Sequence, residues 1–196
     1  GTPIITYTLP TTCYTTYPMT VNGVPTSFTP STRNICVGAP SFTLIVSGVG
    51  SGVWSSSNIS IVTIGSTFGD VNGVSAGTAD ICYTTDAGGC VKCENFTVNP
   101  APAPISGPNT LCVAATTTYT TTPGGGTWTA VNPNLTIGAS SGFATGVTAG
   151  VDTIRYTVGS GCTVSKTVTV RASPNPITGP LSICLGQSTT LVSGPG

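Results

Sequence analysis

The sequence predicts an all-β chain made of tandem sandwich domains. Three observations carry that expectation: a composition of short polar β-formers and turn residues, alternation of apolar and polar residues in short runs, and an internal repeat of about 75 residues. Thr and Ser make up about 30% of the 196 residues, and 26 Gly and 16 Pro accompany them, which leaves little material for long helices. Charged residues are only 5% of the chain. Low charge can accompany disorder, but disordered chains are also poor in apolar residues. Here 38% of residues are hydrophobic and the mean hydropathy is +0.32, so the chain should fold.

The repeat fixes the order of elements. Ile35-Cys36-Val37-Gly38, Leu111-Cys112-Val113-Ala114 and Ile183-Cys184-Leu185-Gly186 recur along the chain, and so do Tyr7-Thr8 before Cys13, Tyr83-Thr84 before Cys90 and Tyr156-Thr157 before Cys162. Trp54 and Trp128 each have an Asn four residues on, and Gly69–Gly77 matches Gly142–Gly150 in every glycine. Proline-rich joints run from Asn99 to Ile105 and from Ser173 to Ile177. On this frame residues 1–24 are the end of one repeat, 25–99 and 100–173 are complete, and 174–196 open a further one. Part of a sandwich cannot bury its own core, so the chain reads as a window on a longer array. Joining 174–196 to 1–24 of a neighbour would still lack the Trp strand.

Within 25–99 the expected strands are Phe42–Val46, Gly52–Ser55, Ser60–Ile64, Ala79–Tyr83 and Asn95–Val98, each a short run bounded by Gly, Pro or Asn. A Trp on a middle strand has the size to anchor a core between two sheets, so Trp54 and Trp128 are assigned to stability. The segment Asp70-Val-Asn-Gly73 has the opening of a calcium loop but lacks the closing acidic ligands, and is expected to be a turn that needs no metal.

Several function classes are excluded. The five Lys and Arg residues balance five Asp and Glu, too few for a basic nucleic-acid-binding stripe. There is no histidine, which removes imidazole-based catalysis and imidazole metal sites. Asp70, Asp80, Asp86, Glu94 and Asp152 are scattered, and no pair recurs as an acid and base. No catalytic residue, metal or cofactor is therefore expected. No apolar run approaches the roughly 20 residues of a membrane span, and no signal peptide is evident, so membrane insertion is not expected and the sequence reads as mature or internal.

Trp54-Ser-Ser-Ser-Asn58, Ile61-Val-Thr-Ile-Gly65 and Gly73-Val-Ser-Ala-Gly-Thr-Ala79 resemble the bacterial immunoglobulin-like group 2 pattern. The joint Pro-Ile-Thr-Gly-Pro followed by Ile-Cys-Leu-Gly is similar to tandem immunoglobulin-like repeats of giant secreted surface proteins of Bacteroidota. The resemblance spans essentially the whole chain. It implies tandem immunoglobulin-like β-sandwiches, an extracellular or cell-surface location, and a structural or adhesive role, with copies of the chain, neighbouring repeats or surface glycans as partners. Exposed aromatics such as Tyr14, Tyr17 or Phe143 are the residues that would stack on a sugar.

Eight cysteines without histidine read as disulfides of an oxidising compartment. Cys82 and Cys93 have the same outward parity on adjacent strands and are the best pair. The Cys90-x-x-Cys93 spacing of a redox or zinc site lacks a partner motif. In an immunoglobulin-like topology Cys36 and Cys112 lie at the opposite end of a sandwich from Cys90 and Cys162. Three schemes stay open: an inter-unit bond of Cys36 to Cys162, with Cys112 bonding beyond the chain; within-unit bonds Cys36–Cys90 and Cys112–Cys162; or free thiols and other arrangements. Cys13 and Cys184 hold the same two repeat positions and are expected to pair likewise. Asn58, Asn95 and Asn134 fit the N-glycosylation triplet, and Asp152-Thr153-Ile154 resembles the short O-glycosylation signal of Bacteroidota, with Thr153 as acceptor.

Overall fold

The computed structural model describes residues 1–194, and they form no helix. The chain divides into two compact units, Gly1–Pro100 and Ala101–Gly196.

The first unit opens with a free-standing hairpin of β1 (Ile4–Thr8) and β2 (Tyr14–Pro18). A sandwich follows, of β3 (Ser27–Thr29), β4 (Asn34–Cys36), β5 (Phe42–Thr43), β6 (Ile45–Ser47), β7 (Gly52–Ser56), β8 (Val62–Ile64), β9 (Asp70–Gly73), β10 (Gly77–Thr85) and β11 (Val91–Asn99). One sheet has the order β4-β11-β10-β7. The strands β5-β9-β8 and the pair β3-β6 make up the rest of the sandwich. Only β4 pairs in parallel, with β11.

Three expectations are corrected. The run 42–46 is not one strand. Phe42 and Thr43 pair with β9, whereas Ile45–Ser47 pair with β3, and the chain crosses between them at Leu44, which is buried. The strand expected from Ser60 begins at Val62, because the Asn58 carbonyl accepts both Ile61 N (3.1 Å) and Val62 N (3.1 Å) and closes a turn first. The segment from Asp70 to Gly73 is a strand paired on both sides, and the Asp70 carboxylate accepts the Thr43 hydroxyl at 2.6 Å.

The second unit repeats the plan with β12 (Thr110–Cys112), β13 (Thr116–Thr118), β14 (Thr127–Ala130), β15 (Leu135–Ile137), β16 (Phe143–Gly146), β17 (Gly150–Thr157) and β18 (Thr163–Arg171). Its sheets are β12-β18-β17-β14 and β13-β16-β15. The counterpart of the β3-β6 pair shrinks to one bridge, Ser106 to Thr120. From Ala172 to Gly194 the only pairing is an isolated bridge, Thr178 to Val192.

Alternation on β10 and β17 builds the cores. Ala79, Ile81 and Tyr83 point inward on β10, and Asp152, Ile154 and Tyr156 on β17. Trp54 packs edge-on between Phe28 and Tyr83, with ring centroids 4.8 and 4.9 Å apart, and Trp128 packs on Tyr156 at 4.7 Å. Gly69 and Gly142 sit at φ +76° and +68° against these indoles, where a side chain would meet both strain and the Trp ring. The tyrosines end in hydrogen bonds, Tyr83 donating to Gly50 O at 3.0 Å and Tyr156 to Pro123 O at 2.8 Å.

Candidate functional sites

Register decides which cysteines can meet. Cys82 lies directly opposite Cys93 on the outer face of the β10-β11 hairpin, with Cα atoms 4.0 Å apart, and the two form a disulfide. Cys36 ends β4 opposite Asn99, the last residue of β11, whereas Cys90 immediately precedes its first residue, Val91. Eight steps of roughly 3.3 Å separate those ends by about 26 Å, far beyond the ~7 Å Cα limit. The second unit has the same geometry: Cys112 lies opposite Arg171, at the end of β18, and Cys162 precedes Thr163, at its start. The within-unit pairs Cys36–Cys90 and Cys112–Cys162 are therefore excluded. Cys13, Cys90, Cys112 and Cys184 carry free thiols in this chain. Cys13, Cys112 and Cys184 are exposed and Cys90 is half-buried. No group of three or more His, Cys, Asp or Glu is placed to hold a metal ion among the described residues.

Tyr14 and Tyr17 do not share a face. Tyr14 and Tyr17 are both strongly exposed, but they are three residues apart on β2 and project from opposite faces of the hairpin, opposite Thr8 and Ile5. Phe143, also exposed, lies in the second unit on β16.

The glycan acceptors differ in availability. Asn58 is exposed, and its Oδ1 accepts Ser60 N at 3.0 Å in a turn. Asn95 spends its amide on the Asp80 carboxylate at 2.9 Å, and Asn134 donates to Val151 O at 3.0 Å. Thr153 lies mid-strand on β17, and the Asp152 that precedes it is fully buried. The Asp152 carboxylate accepts Thr153 N at 2.7 Å, Asn132 N at 2.8 Å and Leu135 N at 3.0 Å. In the folded chain that aspartate is a core fastening rather than a surface recognition signal.

Two fastenings escaped sequence reasoning. Arg33 pairs with Glu94, stacks over Phe96 at 5.0 Å from the ring centroid, and donates to Phe28 O at 3.1 Å, tying the first strands to β11. Burial raises the Tyr119 phenol above its usual range, and its hydroxyl donates to Pro108 O at 3.0 Å.

No family model and no curated protein matches this chain. Solved structures do. A C-terminal 282-residue fragment of intimin, in complex with the intimin-binding domain of the translocated intimin receptor, is 14% identical over 78% of this chain and 67% of its own, with a TM-score of 0.50. Each complete unit is an immunoglobulin-like β-sandwich. Domains 4 and 5 of the S-layer protein SbsC match at 17% identity over 68% of this chain and 84% of theirs, with a TM-score of 0.31. Mouse cadherin-23 EC22-24 matches at 12% over 79% and 68%, with a TM-score of 0.32. At such identities the likeness is one of fold alone.

Proposed function

We propose that this chain is a non-enzymatic structural segment of a secreted tandem immunoglobulin-like protein that forms an extracellular fibre or a cell-surface stalk. The observation that supports it is what the two sandwiches share. Trp54 and Trp128, Tyr83 and Tyr156, and Gly69 and Gly142 recur as core and backbone. No charged residue recurs: Glu94 gives way to Lys166, Lys92 to Val164, Asp80 to Thr153, Cys82 to Arg155 and Ala79 to Asp152. A repeat held to its core and free at its charged positions fits a module whose task is to be a module. The Cys82–Cys93 disulfide suits an oxidising exterior. An adhesive or sugar-binding role has less support, because Tyr14 and Tyr17 diverge and Phe143 holds the repeat position of Asp70.

Stiffness is the second part of the proposal. With within-unit pairs out of reach, a Cys36–Cys162 bond would staple successive units. The free Cys112 and Cys90 would do the same with further repeats, removing hinge freedom at each joint. Electron microscopy of the native extracellular material is the test. Fibres with axial repeats of roughly 40 Å, one unit length, are expected. Isolated flexible threads would overturn the fibre, and binding of defined glycans by the two complete units would move the function to adhesion.

A further inference from the structure

Three cysteines share the β10-β11 hairpin, and only two of them can be bonded to each other at a time. Cys82 on β10 faces Cys93 on β11 and is linked to it, whereas Cys90, three residues ahead of Cys93, keeps a free thiol. In a flexible chain Cys90 and Cys93 would close the shortest of the three possible rings.

The finished hairpin forbids that ring. Three strand steps of roughly 3.3 Å set the Cα atoms of Cys90 and Cys93 about 10 Å apart, past the ~7 Å limit for a disulfide. Alternation opposes it as well, since Cys93 shares the outer face with Cys82 and Cys90 falls on the other face. Cys90 is also held in place. Its N donates to Thr85 Oγ1 at 3.0 Å, its carbonyl accepts Thr85 N at 3.0 Å, and its Sγ donates to Asn22 O at 4.0 Å. Between it and the disulfide stand two paired rows, Thr84 opposite Val91 and Tyr83 opposite Lys92. While those rows are open the thiol can reach Cys93; once they close it cannot.

We infer that Cys90 is an internal exchange thiol for its own hairpin: it holds Cys93 in a transient Cys90–Cys93 disulfide while the chain folds, and hands it to Cys82 as β10 and β11 zip. The chemistry balances in two steps. First, a small-molecule disulfide of an oxidising compartment exchanges with Cys90 and Cys93, which gain one S–S bond as two small-molecule thiols are released. Then Cys82, its proton given up to solvent, attacks Cys93 Sγ as a thiolate. The Cys82–Cys93 bond forms, the Cys90–Cys93 bond breaks, and Cys90 leaves as a thiolate that takes up a proton. Register selects the sulfur attacked, because β10 brings Cys82 opposite Cys93 and not opposite Cys90. Closing the last two rows then carries Cys90 away from the bond it helped to make, so the exchange runs one way. In the second unit Arg155 and Ser165 stand where Cys82 and Cys93 do, and that hairpin has no such bond to make.

The inference rests on hairpin register and goes beyond the fibre reading, so the two can fail separately. The reduced, urea-unfolded 196-residue chain is refolded in reduced and oxidised glutathione. Samples quenched over time are alkylated with N-ethylmaleimide and mapped by tandem mass spectrometry. Early samples should carry label on Cys82, with Cys90 and Cys93 linked; late samples should carry label on Cys90, with Cys82 and Cys93 linked. Cys90→Ser should reach the same Cys82–Cys93 bond at least threefold more slowly, whereas Cys13→Ser should not slow it. A serine that merely weakened the hairpin could slow closure too, but it would not create the early Cys82-labelled species in the unaltered chain, so rate and label are read together. Absence of the Cys90–Cys93 species from the unaltered chain, or a Cys90→Ser chain that closes Cys82–Cys93 as fast, would overturn the inference.

Discussion

Asp152→Ala gives the second unit the residue that the first unit carries at Ala79, and it should still be strongly destabilising. Asp152 is 0% exposed, and its two oxygens accept from Asn132 N at 2.8 Å and Leu135 N at 3.0 Å across the turn from β14 to β15. Its third bond, to Thr153 N, is local. A hydrogen bond to a charged group contributes about 1.5–3 kcal/mol, and a buried donor left alone carries its own desolvation cost, so losing the two long-range bonds should cost about 3–5 kcal/mol. That is a large share of the roughly 5–15 kcal/mol that holds a domain folded. Ala79 is tolerated because the first unit serves the same turn differently. There Val62 N donates to Asn58 O at 3.1 Å and Ser60 N to Asn58 Oδ1 at 3.0 Å. Urea unfolding read by hydrogen exchange, segment by segment, is the assay. Amides of β14, β15 and β17 should lose protection at lower urea, while those of β7, β8 and β10 hold theirs. Asp152→Asn, which keeps one acceptor, should lose about half as much. A shift below about 0.5 kcal/mol for Asp152→Ala, with Leu135 N still protected, would show that water or a rearranged turn replaces the carboxylate and that the reasoning is wrong.

Trp54→Ala should destabilise the first unit by about 3–5 kcal/mol, and more than Trp128→Ala does the second, since Trp54 loses two ring partners and Trp128 one; thermal unfolding of each variant measures the order. Replacing Cys82 and Cys93 together by serine should lower only the first unit, by about 2–3 kcal/mol for so short a loop, read by urea unfolding. Because burial raises the Tyr119 pKa, the neutral phenol stabilises the fold fully below the unfolded value near 10, and that contribution is lost as pH rises through the folded value; alkaline unfolding should show it, and Tyr119→Phe should flatten that limb. Intact-mass and glycopeptide analysis of the secreted protein should find any N-linked sugar at Asn58 rather than Asn134, whose amide is engaged, and none added at Thr153 after folding. Mass spectrometry of unreduced peptides should find Cys36 linked to Cys162, and a Cys36–Cys90 peptide would refute the staple.

What could be read from the sequence was what the repeat states twice. The Trp anchors, the inward parity of Ile81 and Tyr83, and the facing of Cys82 and Cys93 follow from period-two alternation, which needs no knowledge of neighbours. The strands β3, β4 and β9 were not legible, because three or four residues with a single buried side chain carry too little pattern. Nor was the crossing at Leu44: an apolar run gives no sign that its two halves pair with different partners. The burial of Asp152 was not legible either, because a buried carboxylate looks the same in sequence as an exposed one. Its status depends on backbone donors at Asn132 and Leu135, some twenty residues away.

That last case extends to how such a repeat can diverge. The carbonyl of Phe28 in the first unit and of Ile105 in the second occupy the same place in the fold, and both receive a cation: Arg33, which precedes β4 and is held by Glu94 of β11, at 3.1 Å, and Lys166 of β18 at 3.4 Å. Lys166 holds the repeat position of Glu94, so the charge at that site has reversed while the carbonyl stays satisfied. In the first unit the acid positions a cation from the opposite segment; in the second the cation is on the strand itself. A buried or half-buried polar group imposes a requirement on its surroundings, not on one residue. Exchange of Arg33 and Glu94 for the second unit's Asn109 and Lys166 should therefore be tolerated as a pair and damaging singly: Glu94→Lys alone sets two cations together, and Arg33→Asn alone leaves Glu94 with only the longer Lys92 contact at 3.6 Å. Non-additivity of at least about 1 kcal/mol in a double-mutant cycle is the signature, and simple additivity would mean that the two units reached their fastenings independently of this exchange.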